Sequence, residues 1–182
     1  MYPENDKLLK CYFDADFIGG WSTNESDDPA SVYPRTGYII KYRNCLILWV
    51  SKLKSEIPLF TTEAEYIALS QVMREIIPMV GHLERLEKTL KIESKLPSFK
   101  CKVFKDNNGA IELSKAPKIR PRTKHIALKY HHFREYDQKG LIKINPIDTL
   151  EQVADIFTKD LPFPIFNYLR KKMMGWRKQR LI

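Results

Sequence analysis

Nothing in this chain of 182 residues approaches the run of about 18 apolar residues that a membrane-spanning helix needs, and "MYPENDKLLK" at the start lacks the apolar centre of a secretory signal. Cysteine is equally sparse. Cys11, Cys45 and Cys101 are odd in number, far apart and without a C-x-x-C pair or matching histidine spacing, so neither a disulfide framework nor a zinc site is suggested. These absences lead us to expect buried thiols in a reducing, intracellular compartment. There is also no internal repeat and no low-complexity linker to split the chain.

What is present is a hydrophobic content of 43% with 12% aromatics, enough side chains to fill the core of one domain over 1–182. The formal net charge is +9, which suits a polyanionic partner such as nucleic acid.

Periodicity supplies the elements. "KLLKCYFDAD" (7–16) alternates as a strand, and 19–35 reads as a long loop rich in Gly, Ser, Asp and Pro. "TGYIIKYR" and "LILWVSKL" read as a hairpin turning at Asn44-Cys45. From Thr62 the period becomes helical: Glu65, Ala68, Leu69, Val72, Met73, Ile76 and Ile77 share one stripe, and Pro78 is expected to kink or end it. "CKVFKD" (101–106) is a strand, "NNGAIELSK" a short helix, and "HIALKYHHFREYDQKG" a helix stopped by Gly140. "LIKINPI" is a last strand, followed by helices in "LEQVADIFTK" and "FPIFNYLRKKMMGW". The basic 165–182 segment reads as an amphipathic C-terminal helix and tail. This order predicts an α/β fold with a mixed sheet flanked by helices.

Acids sit where such a fold builds sites. Residues two apart on a helix point about 200° apart, so of Glu63 and Glu65 in "TTEAEYIALS" only Glu65 joins the inward stripe. Thr62-x-x-Glu65 also fits a capping box, and Asp106 before Asn107 also fits a helix cap. Asp14 ends the first strand, Asp106 ends "CKVFKD", and Asp155 lies in "EQVADIF". Carboxylates gathered at adjacent strand ends repel one another unless cations bind between them, and paired divalent ions held this way hydrolyse phosphodiesters.

The strings "YFDADFIGGW", "TGYIIKYRNCLILWVSKLKSEIPLFTTEAEYIALS", "KDNNGAIELSK", "RTKHIALKYHHFRE" and "QVADIFTKDLP", taken in order, make the chain resemble the ribonuclease H domain of copia-type LTR retrotransposon polyproteins. The resemblance covers nearly the whole chain. It implies a ribonuclease H-like fold, a five-stranded mixed sheet with its first three strands antiparallel, flanked by helices. It also implies an Mg²⁺-dependent endonuclease that cuts the RNA strand of RNA/DNA hybrids during reverse transcription. Matched by motif, Asp14, Glu65, Asp106 and Asp155 hold two Mg²⁺ ions, for which Mn²⁺ is a substitute.

His125 is a candidate proton shuttle, since an imidazole titrates in the right range. Lys115, Lys118, Arg120, Arg122 and Lys124, five cations without an acid among them, are the expected grip on the phosphate backbone. The implied partners are the RNA/DNA hybrid and a reverse transcriptase domain of the same polyprotein, with no membrane. The implied setting is a cytoplasmic virus-like particle or the nucleus. No reverse-transcriptase or integrase segment accompanies these motifs, so we expect either a piece of a longer polyprotein or a genomic remnant starting at Met1. The competing expectations are a catalytically silent hybrid-binding module, domesticated or decaying, and a DNA-cutting nuclease of the same fold.

Overall fold

The computed structural model describes residues 8–16, 34–54, 61–91, 100–106 and 134–175. Five strands form one sheet: β1 Leu8–Asp16, β2 Arg35–Tyr42, β3 Cys45–Leu53, β4 Lys100–Lys105 and β5 Ile142–Pro146. Their order is β3-β2-β1-β4-β5. β1, β2 and β3 pair antiparallel, whereas β4 runs parallel to β1 and β5 parallel to β4. The sheet is therefore mixed, as the element order predicts.

The hairpin between β2 and β3 turns at Arg43 and Asn44, one residue earlier than the sequence suggested. Both have positive φ, 50° and 63°, which a two-residue turn of primed type demands because its twist matches that of the strands it joins. Cys45 is thereby freed to pair with Tyr42 at the start of β3.

One face of the sheet is covered by α1, Thr61–Leu90. Alternation on β1 sends Leu9, Cys11 and Phe13 to that face, where they meet Ala68, Leu69, Val72, Met73 and Ile76 of the helical stripe. Cys101, Val103, Ile142 and Ile144 extend the same core. Pro78 neither ends nor interrupts α1. Its missing N–H deprives the carbonyl of Arg74, but both residues lie on the exposed side of the helix, where water can substitute. Burial of the opposite stripe, about 25 cal/mol per Å² of apolar surface, outweighs one lost backbone hydrogen bond.

The other face is narrower. Tyr12 and Ile39 lie beneath Val153 and Ala154, with Phe104, Phe157 and Met173 against them. Tyr12 and Phe104 stack with ring centroids 4.8 Å apart. The covering segment, expected as a helix over "LEQVADIFTK", is instead two 3-10 turns, Thr149–Glu151 and Val153–Phe157, separated by Gln152 in extended conformation (φ −75°, ψ 97°). Gln152 is fully buried and spends its side chain on the main chain: Nε2 donates to the carbonyl of Phe13, and Oε1 accepts from the N–H of Ala154. A regular helix would give up these anchors. α2, Arg134–Gln138, precedes Gly140, whose φ of 69° agrees with its expected stop role. α3, Phe163–Met173, returns along the narrow face, where the Lys41 Nζ donates to the carbonyl of Lys172.

The thiols of Cys11 and Cys101 are buried in the α1-side core, while Cys45 is half-exposed. Burial, with Cys101 adding repulsion, raises the Cys11 thiol well above its ordinary range, and burial pushes Cys101 up to about 12. None of the described helices is long and apolar enough to cross a membrane.

Candidate active site

Asp14, on β1, falls two residues after Tyr12 and so faces the narrow side of the sheet, where it is buried. Asp106 follows the last residue of β4, and β4 is the parallel neighbour of β1, so the two strand ends deliver their acids side by side. Asp155 comes down onto them from the second 3-10 turn. One carboxylate oxygen from each of Asp14, Asp106 and Asp155 lies within 4.8 Å of the others. Glu65, in the first turns of α1, is 6% exposed, in agreement with its helical phase. Lys54, buried, donates its Nζ to the carbonyl of Ala64 at 2.8 Å, which ties that end of α1 to the sheet beside Glu65.

Between these acids lies Lys105, fully buried. Its ammonium is 2.8 Å from Asp14 Oδ1, 2.7 Å from Asp106 Oδ1 and 3.3 Å from Glu65 Oε1. A second cation, Lys159, contacts Asp155 Oδ2 at 2.9 Å and Asp14 Oδ2 at 3.6 Å with its side chain 38% exposed. The Thr158 hydroxyl completes the surroundings of Asp14, donating to Oδ2 at 2.6 Å.

The 3-10 segment can approach this closely because of Gly37, the β2 partner of Asp14. A Cβ built on Gly37 would stand 2.7 Å from Phe157 Cβ and 2.9 Å from Thr158 Cγ2, closer than real carbons come. Ser51 adds a clamp on the same segment, its hydroxyl donating to the carbonyl of Phe157 at 2.8 Å.

Electrostatics differ across the cluster. Burial works against ionisation of Asp14, but Lys105 and Lys159 overcome it, together with hydrogen bonds from Lys105 and Thr158, and hold its carboxyl below the ordinary range. Lys105 is likewise raised, burial being outweighed by Asp14, Glu65 and Asp106. Asp155 goes the other way: burial and the neighbouring charge of Asp14 push it up to about 6 despite Lys159. Lys159 itself is raised, its burial outweighed by Asp14 and Asp155.

Of the residues singled out by sequence, the structure brings Asp14, Asp106 and Asp155 together directly, and Glu65 joins them through Lys105. His125 and the basic set Lys115, Lys118, Arg120, Arg122 and Lys124 lie outside the described residues. Sequence reasoning missed Lys105, although the signal was there: in "CKVFKD" the alternation Cys101, Val103, Lys105 puts the lysine on the apolar, helix-covered side. Lys159 was missed as well, its one local signal being the position four residues beyond Asp155. Thr158 and Gly37 carry no such local pattern.

The donor set fits a divalent cation: carboxylate oxygens from three residues converge, and Asp155 Oδ1 is buried with no hydrogen-bond partner among the described residues. This sheet order with carboxylates at the β1 and β4 ends defines the ribonuclease H fold. Correspondingly, the chain superposes on the N-terminal RNase H domain of rv2228c from Mycobacterium tuberculosis with a TM-score of 0.53, covering 91% of this chain and 98% of that one at 8% identity. No protein-family model matches.

In sequence it is 36% identical over 171 residues, 94% of its length, to the retrovirus-related Pol polyprotein from transposon TNT 1-94 of Nicotiana tabacum. It is 34% identical over 168 residues, 92% of its length, to that from transposon RE2 of Arabidopsis thaliana. The chain belongs with the Pol polyproteins of copia-type retrotransposons and aligns with only 12% and 10% of the length of these two relatives.

Proposed function

We propose that this is the ribonuclease H unit of a retrotransposon polyprotein, a divalent-metal-dependent endonuclease that cuts the RNA strand of RNA/DNA hybrids during reverse transcription. The observation that carries the reading is the convergence of three carboxylates, from β1, the end of β4 and the 3-10 segment, with Glu65 of α1 joined to them through Lys105. A core spends such charge only where cations are to be held.

Asp14, Asp106 and Asp155 would hold the metal. A divalent ion bound there, Mg²⁺ or Mn²⁺, polarises the scissile phosphate and lowers the pKa of a coordinated water. The protein's own groups set the stage for this. Thr158 and Lys105 each take one oxygen of Asp14, fixing the plane of its carboxylate. Lys159 takes Oδ2 of Asp155 at 2.9 Å, which leaves Oδ1, buried and without a hydrogen-bond partner among the described residues, available as a ligand atom. We assign the backbone grip on the hybrid to Lys115, Lys118, Arg120, Arg122 and Lys124, and a proton-shuttling role to His125.

The test is a labelled RNA/DNA hybrid incubated with Mg²⁺, beside Asp106→Asn and Glu65→Gln. Cleavage by the wild type that is lost in both variants is expected, and equal cutting by all three overturns the assignment. A second reading, a catalytically silent hybrid-binding module, is favoured by one observation, the Lys105 ammonium between three of the acids. Hybrid binding without cleavage by the wild type would select it.

A further inference from the structure

We propose that the Lys105 ammonium takes the place and charge of one of two divalent ions at the carboxylate cluster, so that the protein binds a single such ion, held by Asp14, Asp106 and Asp155. The inference rests on reading this cluster as a metal site and concerns what the site holds.

Strand parity comes first. Lys105 shares its face of β4 with Cys101 and Val103, both sealed beneath α1, so its side chain enters the core rather than solvent. A lysine so placed is tolerable only if its charge is matched, and the ammonium contacts three different carboxylates at 2.8, 2.7 and 3.3 Å. An ammonium has three hydrogens and no acceptor, so three acids saturate it. The stem passes Phe13, with Nζ 5.6 Å from the ring centroid, a favourable position for a cation.

Charge gives the stoichiometry. Among the described residues four carboxylates face two ammonium groups, Lys105 and Lys159, and the remaining two negative charges are those one divalent ion neutralises. Geometry gives the location. Glu65 stands outside the group of three whose oxygens lie within 4.8 Å, and its Oε1 is engaged by Lys105. Asp155 belongs to that group, and its Oδ1 is buried without a hydrogen-bond partner among the described residues. A second divalent ion shared by Asp14 and Glu65 would have to sit where the ammonium already is.

Mn²⁺ is the probe, titrated into the full chain and followed by electron paramagnetic resonance of the free ion. Wild type is expected to bind one Mn²⁺, and crystals grown with it should show one anomalous peak with Lys105 Nζ still within hydrogen-bond distance of Asp14. Lys105→Met, its fold checked by circular dichroism, should bind Mn²⁺ at least tenfold more tightly and gain a second ion. Two ions or none on the wild type overturn the proposal, as does a folded Lys105→Met that matches wild type in affinity and stoichiometry. Should that variant fail to fold, the wild-type stoichiometry and anomalous map decide alone. Cleavage of the labelled hybrid is measured on the same samples. One bound ion without cleavage removes the nuclease reading and leaves the role of Lys105 standing, whereas cleavage with two bound ions does the reverse.

Discussion

The two corners of the acid cluster are neutralised by the same residue type in opposite ways. At the Lys105 corner the cation is sealed in the core and saturated by Asp14, Glu65 and Asp106. At the Asp155 corner the cation is Lys159, just beyond the 3-10 turn with its side chain 38% exposed, and it leaves Asp155 raised. A buried counter-ion fixes the ionisation of its neighbours, while one that water screens leaves them adjustable. The sealed corner serves permanence and the open corner serves exchange.

The largest effect that separates them should come from removing the sealed cation. Lys105→Met leaves three acids without their shared partner, and we expect a loss of about 3–5 kcal/mol in metal-free chemical denaturation. Addition of Mn²⁺ should restore much of it. Recovery in EDTA would break the comparison.

Next comes pH. Because the Asp155 carboxyl is raised from 3.8 to about 6, the folded state holds a proton that the unfolded state has lost. Metal-free stability should therefore fall as pH rises from about 4 to about 6, by at most about 3 kcal/mol. Asp14, held below its ordinary value, works in the opposite direction: its contribution is present above about pH 4 and is lost on further acidification. Urea melts across this range on Asp155→Asn should lose the first slope and keep the second.

Gly37→Ala comes third. The added carbon meets Phe157 and Thr158 at 2.7 and 2.9 Å, so the 3-10 segment must lift from β2, at about 1–3 kcal/mol. Cleavage should fall further than stability, since Asp155 and Thr158 move together. A melt matching wild type would show that the segment is not seated by this contact.

Smallest is Lys159→Met, expected to cost under about 1 kcal/mol because its ammonium is screened. A cost equal to that of Lys105→Met would erase the distinction between the corners.

Much of this was readable without coordinates, for reasons that differ by element. β1 and α1 announce themselves because each buries one face against a large core, and burial of one face imposes a period on the sequence. That period also chose Glu65. The spacing of "LEQVADIFTK" fits a helix, whereas its conformation is decided by Gln152 reaching the Phe13 carbonyl, a contact 139 residues away in sequence. Of the two outcomes expected at Pro78, an end to the helix does not occur, since a helix anchored by its buried stripe tolerates the defect on its wet side. The role of Lys105 depends on carboxylates from β1 and α1 that no local pattern ties to it, although strand parity alone places it on the buried face.

The thiols carry one practical consequence. With Cys11 and Cys101 locked in their protonated form inside the α1-side core, an alkylating reagent at neutral pH should modify Cys45 in the folded protein. Cys45 sits beside the Arg43–Asn44 turn, at the end of the hairpin away from the Gly37 partner of Asp14. The native chain thus already offers a single attachment point for a fluorophore or spin label, from which the arrival of a nucleic acid could be watched without engineering the acid cluster.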